Sequence, residues 1–349
     1  MMADRVRFAH IGVSFPHAIG YLETLLLMPE VEIVALYDPD PGAARGLLPA
    51  ALQSLPMYDD VADLLAKERP EAVIVTLPAD VTPQAMIQVA EAGAHLHVEK
   101  PCARTAAEFL PAAKAIRKAG VQFATGFTRR FSPVGETIKN LVDRGILGRL
   151  VSVESRWIAT SVRVRGVENF IFSEKRSGGG MLHWLGCHWL DLMRWSTSSE
   201  VTEVAAILDN LSGEPITVED TAALSLRYSN GMLGTLHCTY VTDRTSEQLY
   251  FGLRGTKGWL RWEGGGSALE VRSTHPEWAA APTRVLRFEE DPIGGYGGGA
   301  GIVAQRQFIA SFRDGVPPMF TTDDILRVLE VLDAAHESSR TGRRVAIGG

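Results

Sequence analysis

The chain has 349 residues and a mass of 38.0 kDa, which at roughly 100–200 residues per domain points to two domains, each burying its own core, and excludes a disordered or fibrous chain. Hydrophobic residues make up 46% and charged residues 22%, and 35 Lys+Arg against 41 Asp+Glu leave a net charge of −6; with no basic stripe interleaved with aromatics, no nucleic-acid partner is expected. Three cysteines, Cys102, Cys187 and Cys238, are too few and too scattered for a disulfide framework or a CxxC metal site, which fits a reducing compartment.

The start, Met1 to Phe8, has no apolar core and no twin arginine, and no apolar run approaches the roughly 20 residues of a membrane span. A soluble, cytoplasmic protein with no membrane partner is expected. From Val6 to about Phe127, short apolar runs alternate with helical patterns. Strands are predicted over 6–11, 31–37, 72–77, 95–98 and 122–125, with helices near 17–28, 60–68, 83–92 and 105–119. Thr105 reads as an N-cap, and Glu108 three residues on completes a capping box. The alternation predicts a doubly wound parallel sheet of Rossmann type over 1–127, with ligands at the carboxyl ends of its strands.

After Pro133 come a helix to about Arg144, a strand from Val151, and a β-rich stretch from Val201 to about Phe288. Strands are predicted over 222–228, 232–241 and 248–253, the first two joined by Ser229-Asn230-Gly231. An aromatic-rich helix, 181–195, follows Gly178-Gly179-Gly180. Two more, 303–313 and 323–340, follow the glycine-rich segment Gly294 to Gly301. The second domain, 128–349, is therefore expected to be α/β with a large, mostly antiparallel open sheet. Leu224, Leu226 and Tyr228 alternate with Ala223, so apolar residues occupy both alternating faces, and a homodimer or homotetramer through this sheet is expected.

The turn after the first strand reads Gly12-Val13-Ser14-Phe15-Pro16-His17. It keeps one glycine of the dinucleotide fingerprint G-x-G-x-x-G; Ser14 is small enough for backbone to approach a phosphate, and His17 stands in the third position. Asp38 follows the second strand, placed to accept hydrogen bonds from an adenosine ribose. No arginine directly follows it, so NAD is expected rather than NADP. Thr76-Leu77-Pro78 and Glu99-Lys100-Pro101 end two further strands at the edge where a nicotinamide would lie. These residues form the predicted cofactor site: Gly12, Ser14, Phe15, Pro16, His17, Asp38, Thr76, Leu77, Pro78, Glu99 and Lys100.

Glu99-Lys100-Pro101, Arg130-Phe131-Ser132-Pro133, Gly178-Gly179-Gly180 ahead of Gly186-Cys187-His188, Val218-Glu219-Asp220-Thr221 and Ser338-Ser339 occur in an order that resembles the glucose-fructose oxidoreductase, inositol dehydrogenase and rhizopine catabolism family (Gfo/Idh/MocA) over essentially the whole chain. The resemblance implies an enzyme that oxidises a secondary alcohol of a sugar, inositol or related polyol by hydride transfer to a nicotinamide cofactor. It also implies that Lys100 and His188, the counterparts of the family's lysine and D-x-G-x-H histidine, act beside the substrate. Trp184 stands where that pattern has aspartate, and no histidine follows Pro78, where Thr82 lies nearby. Two other readings go with these departures: oxidation, elimination and re-reduction on retained NAD that cleaves a glycoside without net redox change, and a non-catalytic nucleotide-binding sensor.

Trp184, His188, Asp191 and Trp195 are spaced 4, 3 and 4 apart, one stripe of an α-helix. Asp191 is placed to orient His188, whose imidazole can accept the alcohol proton; Lys100 can stabilise the developing alkoxide. Trp184 offers a flat face to a sugar ring. His183 lies roughly 140° around the helix from His188 and joins the substrate residues only if the helix starts late; a structural role is the alternative. The glycine-rich segment is expected to be either a mobile lid that brings Tyr296 to the substrate or a flexible linker. His95 and His97 share a strand face without a third ligand at fitting spacing, so no metal is expected.

Overall fold

The computed structural model describes residues 5–243, 245–263, 266–289 and 291–348; Met1 to Asp4, part of the N-terminal reading above, lie outside them. The chain forms two compact units, one of residues 1–131 with 291–326 and one of 132–290 with 327–349. This departs from the single cut expected after residue 127. Residues 291–326 return to the first unit because long-range contacts hold them there. Buried Arg130 pairs with Asp324 at 2.7 Å and donates to the Met319 carbonyl, Phe131 meets Phe320 edge-on at 5.7 Å, and Gln305 bonds His97.

The first unit is built on six parallel strands, β1 (Val6–Ile11), β2 (Val31–Tyr37), β3 (Met57–Tyr58), β4 (Ala72–Val75), β5 (His95–Val98) and β6 (Phe123–Thr125), in the order β3-β2-β1-β4-β5-β6. This doubly wound order reverses beside β1, which puts a ligand crevice at the carboxyl ends of β1 and β4. β4 is buried along its whole length, as its unbroken Ala-Val-Ile-Val run requires. It ends short of the expected Leu77, since Pro78 has no N–H for a ladder and restricts the residue before it. Thr105 caps the helix Ala106–Ala119 by accepting the Glu108 N–H at 3.2 Å.

Among the described residues the second unit holds nine strands: β7 (Leu150–Thr160), β8 (Val201–Asp209), β9 (Thr221–Tyr228), β10 (Leu233–Thr242), β11 (Gln248–Gly255), β12 (Gly258–Glu263), β13 (Ala268–Ser273), β14 (Thr283–Arg287) and β15 (Val345–Ala346). Their order is β14-β13-β12-β11-β7-β10-β9-β8-β15, antiparallel except for β7 beside β10. Its face is more divided than the sequence suggested. Ala222, Leu224, Leu226 and Tyr228 are buried, whereas the other face of β9 and β10 exposes Ser225, Arg227, Thr235 and His237 beside Ala223 and Leu233. Ser338 and Ser339 complete the edge: their hydroxyls accept the Ala206 and Leu208 N–H groups of β8 at 3.0 and 2.9 Å.

Candidate active site

Gly12 closes β1 at φ +100°, a conformation costly for any residue with a Cβ, and a Cβ there would also lie 3.1 Å from both Leu77 and Thr76 side chains. Thr76 holds this turn from below, donating its hydroxyl to the Gly12 carbonyl at 2.7 Å. The helix Ala18–Leu26 that follows has no side-chain cap and no acidic residue in its first turn, so its N-terminal dipole is left for an anion such as a pyrophosphate. Ser14 is exposed, and Phe15, Pro16 and His17 are half-buried along the same turn. Asp38, fully buried, accepts the Ser14 N–H and hydroxyl at 2.7 Å each and the Asp40 N–H at 3.0 Å. A carboxylate has about four acceptor positions, so one remains, and rotation of the Ser14 hydroxyl opens a second for a ribose diol. The turn and the carboxylate thus fit a dinucleotide.

Glu99 is the hub of the carboxyl edge. It accepts the Tyr21 hydroxyl at 2.7 Å, lies 3.2 Å from His17 Nδ1, and stands 3.5 Å from Lys100 Nζ, all but His17 being buried. Burial pushes the Glu99 carboxyl up, but the charges of His17 and Lys100 and the bonds from His17 and Tyr21 outweigh it, and its pKa falls below the ordinary value. Burial and the Glu99 charge push Tyr21 well up, so it stays a donor. Gly126 is packed tightly here: a Cβ would sit 2.8 Å from both Glu99 Oε2 and Tyr21 Oη, so one of these side chains would have to shift.

Tyr296, from the glycine-rich segment, belongs to this cluster. Its ring lies 4.3 Å from Tyr21 and 4.6 Å from His17, its N–H bonds the Gly20 carbonyl at 2.9 Å, and its hydroxyl donates to the Gly126 carbonyl at 3.3 Å. The neighbouring glycines serve close packing: a Cβ on Gly301 would fall 1.9 Å from the Tyr296 carbonyl oxygen, and one on Gly295 2.4 Å from Thr24 Oγ1. Thr82 is also structural, its buried hydroxyl bonding the Leu77 and Pro78 carbonyls.

In the second unit, Leu182–Gly186 forms a π-turn leading into the helix Cys187–Thr197. Such a turn takes about one residue more than an α-turn, so the stripe drawn through Trp184 and His188 is shifted. Trp184, 9% exposed, meets Phe170 edge-on at 5.9 Å; His188, also 9% exposed, lies 6.1 Å from Trp157; Asp191 is fully buried and Trp195 half-buried. His183 faces different neighbours, 3.4 Å from His336 Nε2 and beside Glu219. Glu219 caps the start of this segment, accepting the Gly180 and Leu182 N–H groups at 2.9 Å each, and its burial raises its pKa. Gly178-Gly179-Gly180 is explained locally: a Cβ on Gly179 would overlap the His183 ring at 2.1 Å, and one on Gly180 would meet the Glu219 carbonyl oxygen at 1.9 Å.

His95 stacks on Phe312 at 4.2 Å and accepts the Gln122 N–H, and His97 bonds Gln305, so both are packing residues. Tyr21, Gly126, Glu219 and His336 were not anticipated as site residues. Tyr21 follows His17 by one helical turn, a usable signal; Glu219 and His336 meet only through the tertiary fold.

A profile described as "Oxidoreductase family, NAD-binding Rossmann fold" matches residues 6–127, and one for the "GFO/IDH/MocA C-terminal domain" matches 136–261. The chain spans 57–65% of the length of two uncharacterised oxidoreductases it matches, one of them YrbE of Bacillus subtilis, 32% identical over 206 residues or 56% of this chain. It is 26% identical to the scyllo-inositol 2-dehydrogenase (NAD(+)) of Bacillus subtilis over 358 residues, 99% of this chain and 97% of that enzyme. Among solved structures it resembles GenD2 from gentamicin A biosynthesis in complex with NAD, at TM-score 0.84 and 26% identity, covering 100% of this chain and 98% of that one.

Proposed function

The chain belongs to the Gfo/Idh/MocA oxidoreductase family, and from that premise we propose that it is an NAD-dependent dehydrogenase of a secondary alcohol on a sugar, inositol or related polyol. The observation that carries the reading is the buried Glu99–Lys100 pair, braced by Tyr21 and His17, at the same sheet edge as the Gly12 turn and Asp38. The name of the scyllo-inositol enzyme supports the substrate class, and the NAD complex of GenD2 supports the cofactor.

Bound NAD would be held by the Gly12 to His17 turn and by Asp38, and supplies the acceptor for the hydrogen that leaves the carbinol carbon as hydride. The protein's own groups handle the proton and the oxygen. Lys100, 3.5 Å from Glu99, is assigned to the alcohol oxygen, where a pre-placed cation stabilises negative charge as it develops. His188 takes the proton, with Asp191 one turn on as its orienting carboxylate. Trp184 presents an apolar face to the sugar ring. Tyr296, packed against His17 and Tyr21, is assigned to the substrate from the glycine-rich segment. The protein works in the cytoplasm, where its three buried, unbridged cysteines remain thiols, and it assembles as a homo-oligomer through the outer face of the nine-stranded sheet.

The test is a panel of inositols, pentoses, hexoses and glycosides with NAD or NADP, followed at the NADH absorption band. Accumulating NADH with at least one polyol supports the reading. Release of aglycone without NADH, or no turnover with any compound, contradicts it.

A further inference from the structure

Spacing along the chain offers no metal site, but the fold assembles one from three distant segments. His183 on the π-turn, Glu219 before β9 and His336 on the helix Thr322–Thr341 place one ligand atom each within 4.8 Å of one another. We propose that these residues form a divalent transition-metal site, with zinc as its best occupant and one coordination position open to an oxygen ligand.

The geometry is close to what a metal needs. Zinc holds imidazole nitrogen and carboxylate oxygen at about 2.0–2.2 Å, so two ligands at a tetrahedral angle lie about 3.4 Å apart. His183 Nδ1 and His336 Nε2 are 3.4 Å apart. Glu219 Oε2 is 4.0 Å from His336 Nε2, and all three ligand atoms lie within 4.8 Å of one another, so side-chain adjustments of up to about 1 Å bring the set to ligand spacing. His336 can make such an adjustment, its side chain being 37% exposed, while His183 and Glu219 are buried and held.

The outer shell is also present. The Gly180 and Leu182 N–H groups fix both Glu219 oxygens and leave each a lone pair for a cation. Glycine at 179 is what lets the His183 ring reach this position. On the far side, a cavity of about 280 Å³ lined by Gly179, Asp209, Glu219, His336 and Ser339 leaves room for water or a small hydroxylated or carboxylate ligand. Two imidazoles and one carboxylate suit zinc and the neighbouring late first-row metals, and disfavour magnesium and calcium, which prefer all-oxygen shells. The proposal does not rest on the dehydrogenase reading.

The full, tag-free chain is stripped with a chelator, dialysed, and titrated with zinc against a competing indicator and with cobalt(II) by visible absorption. One equivalent of zinc and a cobalt spectrum of tetrahedral intensity are expected. Because outer-shell losses alone cost 10–100-fold in affinity, H336A should weaken zinc by at least about 100-fold. H336Q, with far-UV dichroism on both variants, guards against a folding defect. Magnesium should not compete. Zinc binding that is absent, or that is equally tight in folded H336A and H336Q, overturns the proposal, whether or not any alcohol is oxidised.

Discussion

Lowering the pH from about 7 to about 5 is expected to remove about 4 kcal/mol of stability through two histidines alone. His10 on β1 and His97 on β5 are enclosed in the first unit's core. Burial, and then the nearby His97, hold the His10 pKa at about 3; burial outweighs the Glu99 charge and the Gln305 bond to hold His97 at about 4. Thr76 Oγ1 donates to the Gly12 carbonyl and so accepts from His10 Nε2–H at 3.0 Å, which assigns the neutral tautomer. Both folded values lie below the ordinary 6.5, so the unfolded chain binds protons that the native state refuses. The stability these rings contribute is full above about pH 6.5 and is lost as the pH falls toward 4 and 3. From 6.5 to 5 is about 1.5 pH units, or about 2 kcal/mol per ring at 1.36 kcal/mol per unit. Against a usual total of about 5–15 kcal/mol, this shifts a urea midpoint visibly. The assay is urea unfolding by far-UV circular dichroism, with tyrosine fluorescence as the probe of the first unit because all seven tryptophans lie in the second, at both pH values, for the unmodified chain and for H10N/H97N. The double variant starts less stable but should lose about 4 kcal/mol less between the two pH values. Equal losses in both proteins would refute the argument.

Lys100→Met should lower kcat by about 10²- to 10³-fold while NAD affinity, read by fluorescence titration, stays within a few-fold. His188→Ala should lower kcat/KM by about 10²- to 10⁴-fold and flatten the acidic limb of the pH–rate profile; unchanged turnover would remove it as the base. Asp38→Ala should erase most of the preference for NAD over NADP, and equal affinities in the unmodified chain would already contradict that preference. Gly126→Ala forces a methyl against Glu99 and Tyr21 and should cost about 1–3 kcal/mol, seen as a lower melting temperature.

The parallel half of the fold was open to sequence reasoning because each buried strand is a short apolar run bounded by turn residues, and β1, β2 and β5 fall on the expected residues. Two-residue β3 is too short to set a period. The return of residues 291–326 to the first unit could not be read either, since Arg130–Asp324 and Phe131–Phe320 are contacts between sites with no shared local pattern. The same distinction runs through the site. Gly12, Asp38 and the Glu99-Lys100 pair end strands and announce themselves locally. The glycine-rich segment is ambiguous in the sequence, because glycine serves both mobility and close packing, and the packing of Tyr296 against Gly20 and Gly301 shows only in the tertiary contacts. The π-turn at Leu182–Gly186 was invisible to a periodicity argument that assumes α-geometry, so His183 could be placed relative to His188 but not relative to Glu219 and His336.

The central claim is that the carbinol hydrogen moves to the nicotinamide and stays there through product release. The measurement is single-turnover oxidation of the best alcohol from the panel, deuterated at the reacting carbon, with excess enzyme and NAD and mass analysis of the nucleotide. The account predicts one deuterium in the reduced nicotinamide per ketone formed, and a slowed first turnover in Lys100→Met with the same label transfer. Deuterium returned to the product, or lost to solvent, with no labelled NADH would contradict it.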